Sequence, residues 1–241
     1  MVEKSKKVWI LSFEYAGIAK VGGLGEVPAN QAKTLKDDVD LTVFIPSHGQ
    51  RERLRQEAGI EKLPFNCIGQ VDLSPLGINE PESSYSISFQ EVMLDGVSVI
   101  LLCGENSFTK KYLDDDVVYN PDTFNAKLCL FSIGMRCYID YILDKKPEEI
   151  PEIIHMHDYH VVIPFMGIKQ RLHKHGLDVR SLITIHLLTH PRRGRDFYEV
   201  CGIDETPITV RVKEDEIKSL SLQEIVNKCK KIASLHEDEP P

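Results

Sequence analysis

The stretch Lys20-Val-Gly-Gly-Leu-Gly-Glu-Val27, a short way past the apolar run Val8–Phe13 (VWILSF), decides how this chain is read. A strand that empties into a glycine-rich loop and then a helix is a device for holding an anion. Glycines let backbone amides approach a phosphate closely, and the helix start adds partial positive charge. Lys20 adds a point charge beside the loop. Two readings of the glycines stay open from the pattern alone: ligand approach, or tight packing of helix on strand. A dinucleotide fingerprint is excluded, because its third glycine falls on Pro28. A Walker loop is excluded too, because no Gly-Lys-Ser/Thr follows.

Working outward, Val8–Phe13 reads as a strand buried on both faces, Leu24–Leu35 as a helix, and Asp40–Ile45 (DLTVFI) as a second buried strand. Pro28 must lie near the first helical turn, since an interior proline breaks a helix. Strand, helix and strand make a βαβ unit and therefore a parallel sheet. Ser84–Leu94 alternates apolar and polar residues, Asp95-Gly96 follows, and Val97–Cys103 (VSVILLC) is apolar, so an antiparallel hairpin is inserted in the first half. Phe124–Leu143 reads as a long, sandwiched helix, Ile153–His155 as a short strand, Val161–His175 as containing a helix with Pro164 in its first turn, and Ser181–His186 as another buried strand. The fold class is α/β: a Rossmann-like, doubly wound, mostly parallel sheet. Residues 1–205 form that domain. Residues 206–241 read as a helical C-terminal extension with a frayed acidic tail.

Bulk properties narrow the function. The net charge is −8, which argues against a nucleic-acid surface or an anionic-membrane surface. No run approaches ~18 apolar residues, so no membrane span is expected. The six cysteines include no C-x-x-C pair, and most sit in apolar runs; they read as small buried hydrophobes in a reducing, cytoplasmic setting.

Three further segments can carry chemistry. His155-Met-His157-Asp158-Tyr-His160 follows a strand, where ligands bind in open α/β sheets. Three histidines and a carboxylate suggest a metal, but their order, H-x-H-D-x-H, differs from the usual metallohydrolase spacing. Thr184-Ile-His186 ends another strand at the same sheet edge. Asp122 precedes the long helix and reads first as its N-cap. Asp114-Asp115-Asp116 reads as a solvated loop.

Taken in order, these motifs resemble the N-terminal half of the glycogen and starch synthases. Lys20-Val-Gly-Gly-Leu24 resembles the family's K-x-G-G-L, His157-Asp-Tyr-His160 its H-D-W-H, and Thr184-Ile-His186 its T-I-H. The resemblance runs from about Val8 to about Asp204. It implies one half of a GT-B fold, in a glycosyltransferase that moves glucose from ADP- or UDP-glucose to an α-1,4-glucan with retention. By resemblance, His160 and Asp122 are catalytic, and Lys20, Gly22, Gly23, His157, Asp158 and His186 bind substrate. The family needs no metal or other cofactor. Its partners are a nucleotide-sugar donor and a glucan acceptor.

The resemblance also implies a second Rossmann-like domain that supplies the nucleotide site. The ~35 residues after Thr206 are too few for a domain, so a separate C-terminal half is expected. Arg192, Arg193 and Arg195 do not match that domain's cations. Two other readings compete: a non-catalytic glucan-binding or regulatory module, and a metal-dependent hydrolase built on His155, His157, Asp158 and His160.

Overall fold

The apolar run after the N-terminus forms β1 (Lys7–Leu11) and the DLTVFI run forms β2 (Asp40–Pro46). They pair in parallel, Val8 opposite Leu41, with α1 (Glu26–Leu35) crossing between them. Pro28 is the third residue of α1, where its missing N–H has no helical acceptor to lose. The structure is a computed structural model that describes residues 6–80, 83–187, 193–213 and 216–227.

The remaining strands are β3 (Glu61–Val71), β4 (Ser83–Leu94), β5 (Val97–Gly104), β6 (Ile153–His157) and β7 (Arg180–Thr184). They join one seven-stranded sheet in the order β3-β4-β5-β2-β1-β6-β7. Pairing is parallel from β5 to β7, and β4 runs antiparallel to both its neighbours. The β4–β5 turn has φ of 53° at Asp95 and 79° at Gly96, which a type I′ hairpin turn requires. β3 alternates Leu63, Phe65, Cys67 and Val71 and accommodates Pro64 where its register shifts, as an edge strand permits.

Strand side chains alternate between two cores, so the sheet is covered on both faces. Trp9, Leu11, Phe44 and Ile154 pack under α4 (Phe124–Lys145) and α5 (Val162–Lys174). Val8, Ile10, Val43 and Val99 pack under α1 through Ala29 and Ala32. Shorter helices are α2 (Arg51–Glu57), α3 (Ser107–Leu113) and α6 (Arg195–Val200).

Four expectations are corrected. The strand after α5 is not buried: β7 is the outermost strand, and Leu182 and Ile183 are 54% and 40% exposed on its opposite faces. Apolarity gave the strand type correctly but could not reveal that neither face is covered. The C-terminal part is not simply helical: β8 (Ile208–Lys213) and β9 (Glu216–Leu220) form an antiparallel hairpin before a helical turn at 222–227. The alternation in Ile208-Thr-Val-Arg-Val-Lys213 carries that signal. Ile208, Leu222 and Val226 are buried in the α4–α5 core, so this segment packs on the domain. The acidic tail lies outside the described residues.

Cys67 on β3 and Cys137 on α4, 70 residues apart, form a disulfide with a Cα–Cα distance of 5.8 Å. The reading of every cysteine as reduced fails for that pair, because spacing in the chain says nothing of which strand faces which helix. Cys103, Cys129 and Cys201 are buried and free. Finally, Asp114 and Asp115 are not merely solvated. Asp114 accepts from Ser47 Oγ (2.5 Å) and the Gly104 N–H (3.0 Å), and Asp115 accepts from the Val117 N–H (3.0 Å) and Asn120 Nδ2 (2.9 Å). They shape the loop that enters the site. Among the described residues no helix is long and apolar enough to cross a membrane.

Candidate active site

Parallel strands deliver their carboxyl ends to one rim, and β1, β2, β6 and β7 all bring polar residues there. The glycine loop follows β1. Its residues 23–25 make a single tight turn that runs into α1. The two readings of its glycines now separate by position. A Cβ on Gly25 would lie 2.7 Å from Lys20 Cβ and 3.3 Å from Glu14 Cβ, so Gly25 is there for packing. A Cβ on Gly22 or Gly23 would meet nothing within 4 Å. No packing demand among the described residues explains those two. Gly23→Ala is therefore expected to leave stability within about 0.5 kcal/mol of wild type, whereas Gly25→Ala costs about 2 kcal/mol. Urea unfolding of the two variants checks this. Equal losses would show that Gly23 also serves packing.

Glu14 was not legible as a functional residue, yet it organises the loop. It is 2% exposed. Its Oε2 accepts from the Val21 N–H (2.7 Å) and, more weakly, from the Gly22 N–H (3.4 Å); its Oε1 accepts from the Tyr119 hydroxyl (2.5 Å). One buried carboxylate thus ties the glycine loop to the loop before α4. Gly22, expected to offer its amide to a phosphate, directs it at Glu14 here. Lys20 is half-exposed and paired with Glu26 at the mouth of the loop.

The β6 motif divides into two groups. His157 is fully buried and faces α1 and β7. Its Nε2–H donates to Gln31 Oε1 (3.0 Å), and its Nδ1 lies 3.2 Å from His186 Nε2. His155 Nε2 lies 2.8 Å from Thr184 Oγ1. Burial, with the neighbouring histidines adding to it, pushes the His157 pKa down to about 3, so the ring is neutral and can accept from His186. His157 and His186 therefore bond to each other and to α1, which joins β6, β7 and the first helix. Among the described residues no three His, Cys, Asp or Glu side chains are grouped to hold a metal ion.

Asp158 and His160 form the second group. Asp158 has φ of 68°, a left-handed conformation costly for a non-glycine residue. That bend turns the chain from β6 into α5 and directs residue 160 into the site. Asp158 Oδ1 accepts from the Tyr159 N–H (2.9 Å). Asp158 Oδ2 and His160 Nδ1, 3.9 Å apart, are both buried and have no hydrogen-bond partner among the described residues. His160 stacks on Phe13 with ring centres 5.5 Å apart and meets Phe124 edge-on at 5.7 Å. Burial pushes its pKa down to about 4, against the opposing charges of Asp158 and Glu14.

A cavity of about 340 Å³ opens over His160. Tyr119, Phe124 and Tyr159 supply aromatic walls, Pro121 and Leu187 close two sides, and Arg193 borders it. Asp122 is not among its walls. It is exposed, and its own N–H donates to Asn120 Oδ1 (3.1 Å). Nor is it the N-cap of α4: that position is Thr123, which makes no side-chain cap. The chain brings together His160, Asp158 and the glycine loop, through Glu14 and Tyr119, and leaves Asp122 at the surface.

Two buried residues underpin this arrangement. Lys127, on α4 and fully buried, donates from Nζ to the carbonyls of Asp115 (2.8 Å) and Val117 (2.9 Å) and lies 3.3 Å from His48 Nδ1. His48 Nε2–H donates to the Phe13 carbonyl (2.9 Å). The Phe13 carbonyl, two residues past β1, is thereby linked to the loop that carries Tyr119. An isolated Lys or His in the sequence shows none of this.

Residues 7–230 match a family described as the starch synthase catalytic domain. The chain is 25% identical over 188 residues to a glycogen synthase of Exiguobacterium sibiricum, covering 76% of this chain and 35% of that protein. It is 27% identical over 185 residues to a glycogen synthase of Thermotoga maritima, covering 76% and 35%. Among solved structures it is similar to the catalytic domain of starch synthase IV from Arabidopsis thaliana bound to ADP and acarbose, with a TM-score of 0.61, 20% identity, and 84% of this chain and 38% of that one covered. That likeness bears out the Rossmann-like α/β fold as part of a GT-B fold. The chain spans about a third of the length of the relatives it matches.

Proposed function

The chain belongs to the starch synthase catalytic domain family, and on that premise we propose that it is the acceptor-side half of a retaining glucosyltransferase. Glucose passes from ADP- or UDP-glucose to the end of an α-1,4-glucan. The observation that carries this reading is the open space over Gly22 and Gly23 at the rim where His160 lines a cavity. A leaving diphosphate needs fixed N–H dipoles and cations; in the loop these are the Gly23 amide, which Glu14 does not take, and Lys20, which would exchange Glu26 for phosphate. The sugar becomes cation-like as the bond to phosphate breaks, and the buried carboxylates of Glu14 and Asp158, whose charges already bear on the His160 ring, favour a positive charge beside it. His160, neutral at ordinary pH, is the ring of this motif that lines the cavity and meets the sugar. His157 and His186 hold this rim in place, and their contribution to binding is indirect.

Turnover, in this reading, requires the two-thirds of the relatives' length that this chain does not span. The test is transfer of labelled glucose from ADP-glucose and UDP-glucose to glycogen, by this chain alone and with a GT-B C-terminal half added. Transfer only in the presence of the added half is the expected result. Synthase-like turnover by the chain alone overturns the need for a second half. Binding of glycogen with no turnover under either condition favours a glucan-binding module, for which the aromatic walls of the cavity also speak.

A further inference from the structure

The geometry points to Arg193 as an anion-binding residue that makes the His160 cavity a site for a glycosyl phosphate: a sugar ring against the aromatic walls and an oxyanion on the guanidinium. This inference rests on the proposed glycosyltransferase reading and names a contact it does not supply. Arg193 sits just before α6. Its Nη2 donates to Asn125 Oδ1 (2.7 Å), and its guanidinium lies 4.4 Å from the Phe197 ring centre. Stacked on one ring and held by one amide, the side chain is pre-positioned, and among the described residues most of its five N–H groups are unspent.

No carboxylate among the described residues pairs with Arg193; the groups that bear on its charge are Tyr159, Cys201 and Tyr198. Burial disfavours the charged guanidinium there. A cation kept partly desolvated without a counterion, bordering a cavity, is a site that an oxyanion completes, and the planar fork matches phosphate.

The rest of the cavity is built for a neutral ring. Tyr119, Phe124 and Tyr159 present apolar faces to sugar C–H groups, and the His160 ring forms the floor. Its volume of about 340 Å³ is in the range of small-ligand sites. Arg193 lies between β7 and α6 and matches none of the cations that the family resemblance implies. The fold places it beside His160 because α6 packs behind α4 through Phe197.

The experiment is calorimetric titration of this chain with glucose 1-phosphate, glucose, inorganic phosphate and ADP-glucose, for wild type, Arg193→Gln and Arg193→Lys. Wild type is expected to bind glucose 1-phosphate about tenfold more tightly than glucose, the worth of one charge-assisted contact. Arg193→Gln is expected to bind both alike, and Arg193→Lys to recover part of the preference. Equal wild-type affinities for glucose 1-phosphate and glucose overturn the role of Arg193 and leave the sugar site standing. Phosphate binding as tightly as glucose 1-phosphate overturns the sugar half of the inference. Binding of none of the four overturns this inference and leaves the glycosyltransferase reading to the transfer assay with an added C-terminal half. ADP-glucose binding with no gain over glucose 1-phosphate shows that the phosphate nearest the sugar is the group recognised, as the inference requires; ADP-glucose binding without glucose 1-phosphate binding overturns it. Should Arg193→Gln fail to fold by circular dichroism, the wild-type comparison of glucose 1-phosphate with glucose decides.

Discussion

Lys127→Met will unfold at markedly lower urea than wild type, with a loss of about 3 kcal/mol, or some 6–12 °C in melting temperature for a domain of this size. Methionine keeps the volume of the stem but not the ammonium that holds the Asp115 and Val117 carbonyls and contacts His48. Two carbonyls then lose a charged donor in a place that water does not reach easily. Hydrogen bonds to a charged group are worth about 1.5–3 kcal/mol each, offset by the desolvation that the buried ammonium itself incurs. That desolvation is visible in the Lys127 pKa, pushed down to about 8. A variant as stable as wild type, or more so, would show that desolvation outweighs the bonds. The damage should also be local. Tyr119 hangs from the loop that Lys127 holds, so the cavity wall and the Glu14 tie should loosen before the sheet does.

Acid will destabilise the protein over a window set by buried histidines. Burial, with the Lys127 charge adding to it, pushes the His48 pKa down to about 3; burial likewise holds His157 at about 3 and His160 at about 4. In the unfolded chain a histidine titrates near 6.5. Each folded pKa is therefore lower than the unfolded one, so the unfolded state binds more protons between the two values. Stability rises with pH across that window, is fully present above about 6.5, and is lost as pH falls toward 3–4. His48 alone would account for about 5 kcal/mol across the whole window, from 3.5 pH units at 1.36 kcal/mol each. Asp114 and Asp140, whose carboxyls burial raises, act in the opposite sense over the lower part of the range. The net expectation is unfolding near pH 4–5. Urea midpoints measured from pH 8 to pH 4.5 test it; a flat series would mean that these rings are solvated or already charged in the folded protein.

Local signals of short range were readable, and their outcomes show why. The β1–loop–α1 unit follows from an apolar run, glycines and a proline that tolerates only the first turn. The β4–β5 hairpin follows from alternation around Asp95-Gly96. Where a signal was missed, as in β3 and β8, alternation was present but weakened by Pro64 or by charged partners. His160 lines the cavity because it follows the end of β6, and position after a strand is itself local information. Asp122 lies outside the cavity walls, and its reading as the N-cap of α4 fails because that position falls one residue later, to Thr123.

The residues that make the site a site were not readable in this way. Glu14 meets Tyr119 across 105 positions, His157 meets Gln31 across 126, and Lys127 meets His48 across 79. Each is an ordinary residue in sequence, given its role by a partner that only the sheet order brings near. Period, turn chemistry and motif order by themselves determined the parallel sheet, the rim that faces ligand and the family resemblance, since each depends on residues within a few positions of one another. Only the tertiary structure decided that Gly22 and Gly23 are open while Gly25 is packed, that β7 is uncovered, and that Arg193 borders the His160 cavity. Those facts depend on burial and on contacts between distant segments, and free energy at such places is set by what a group touches rather than by its neighbours in the chain.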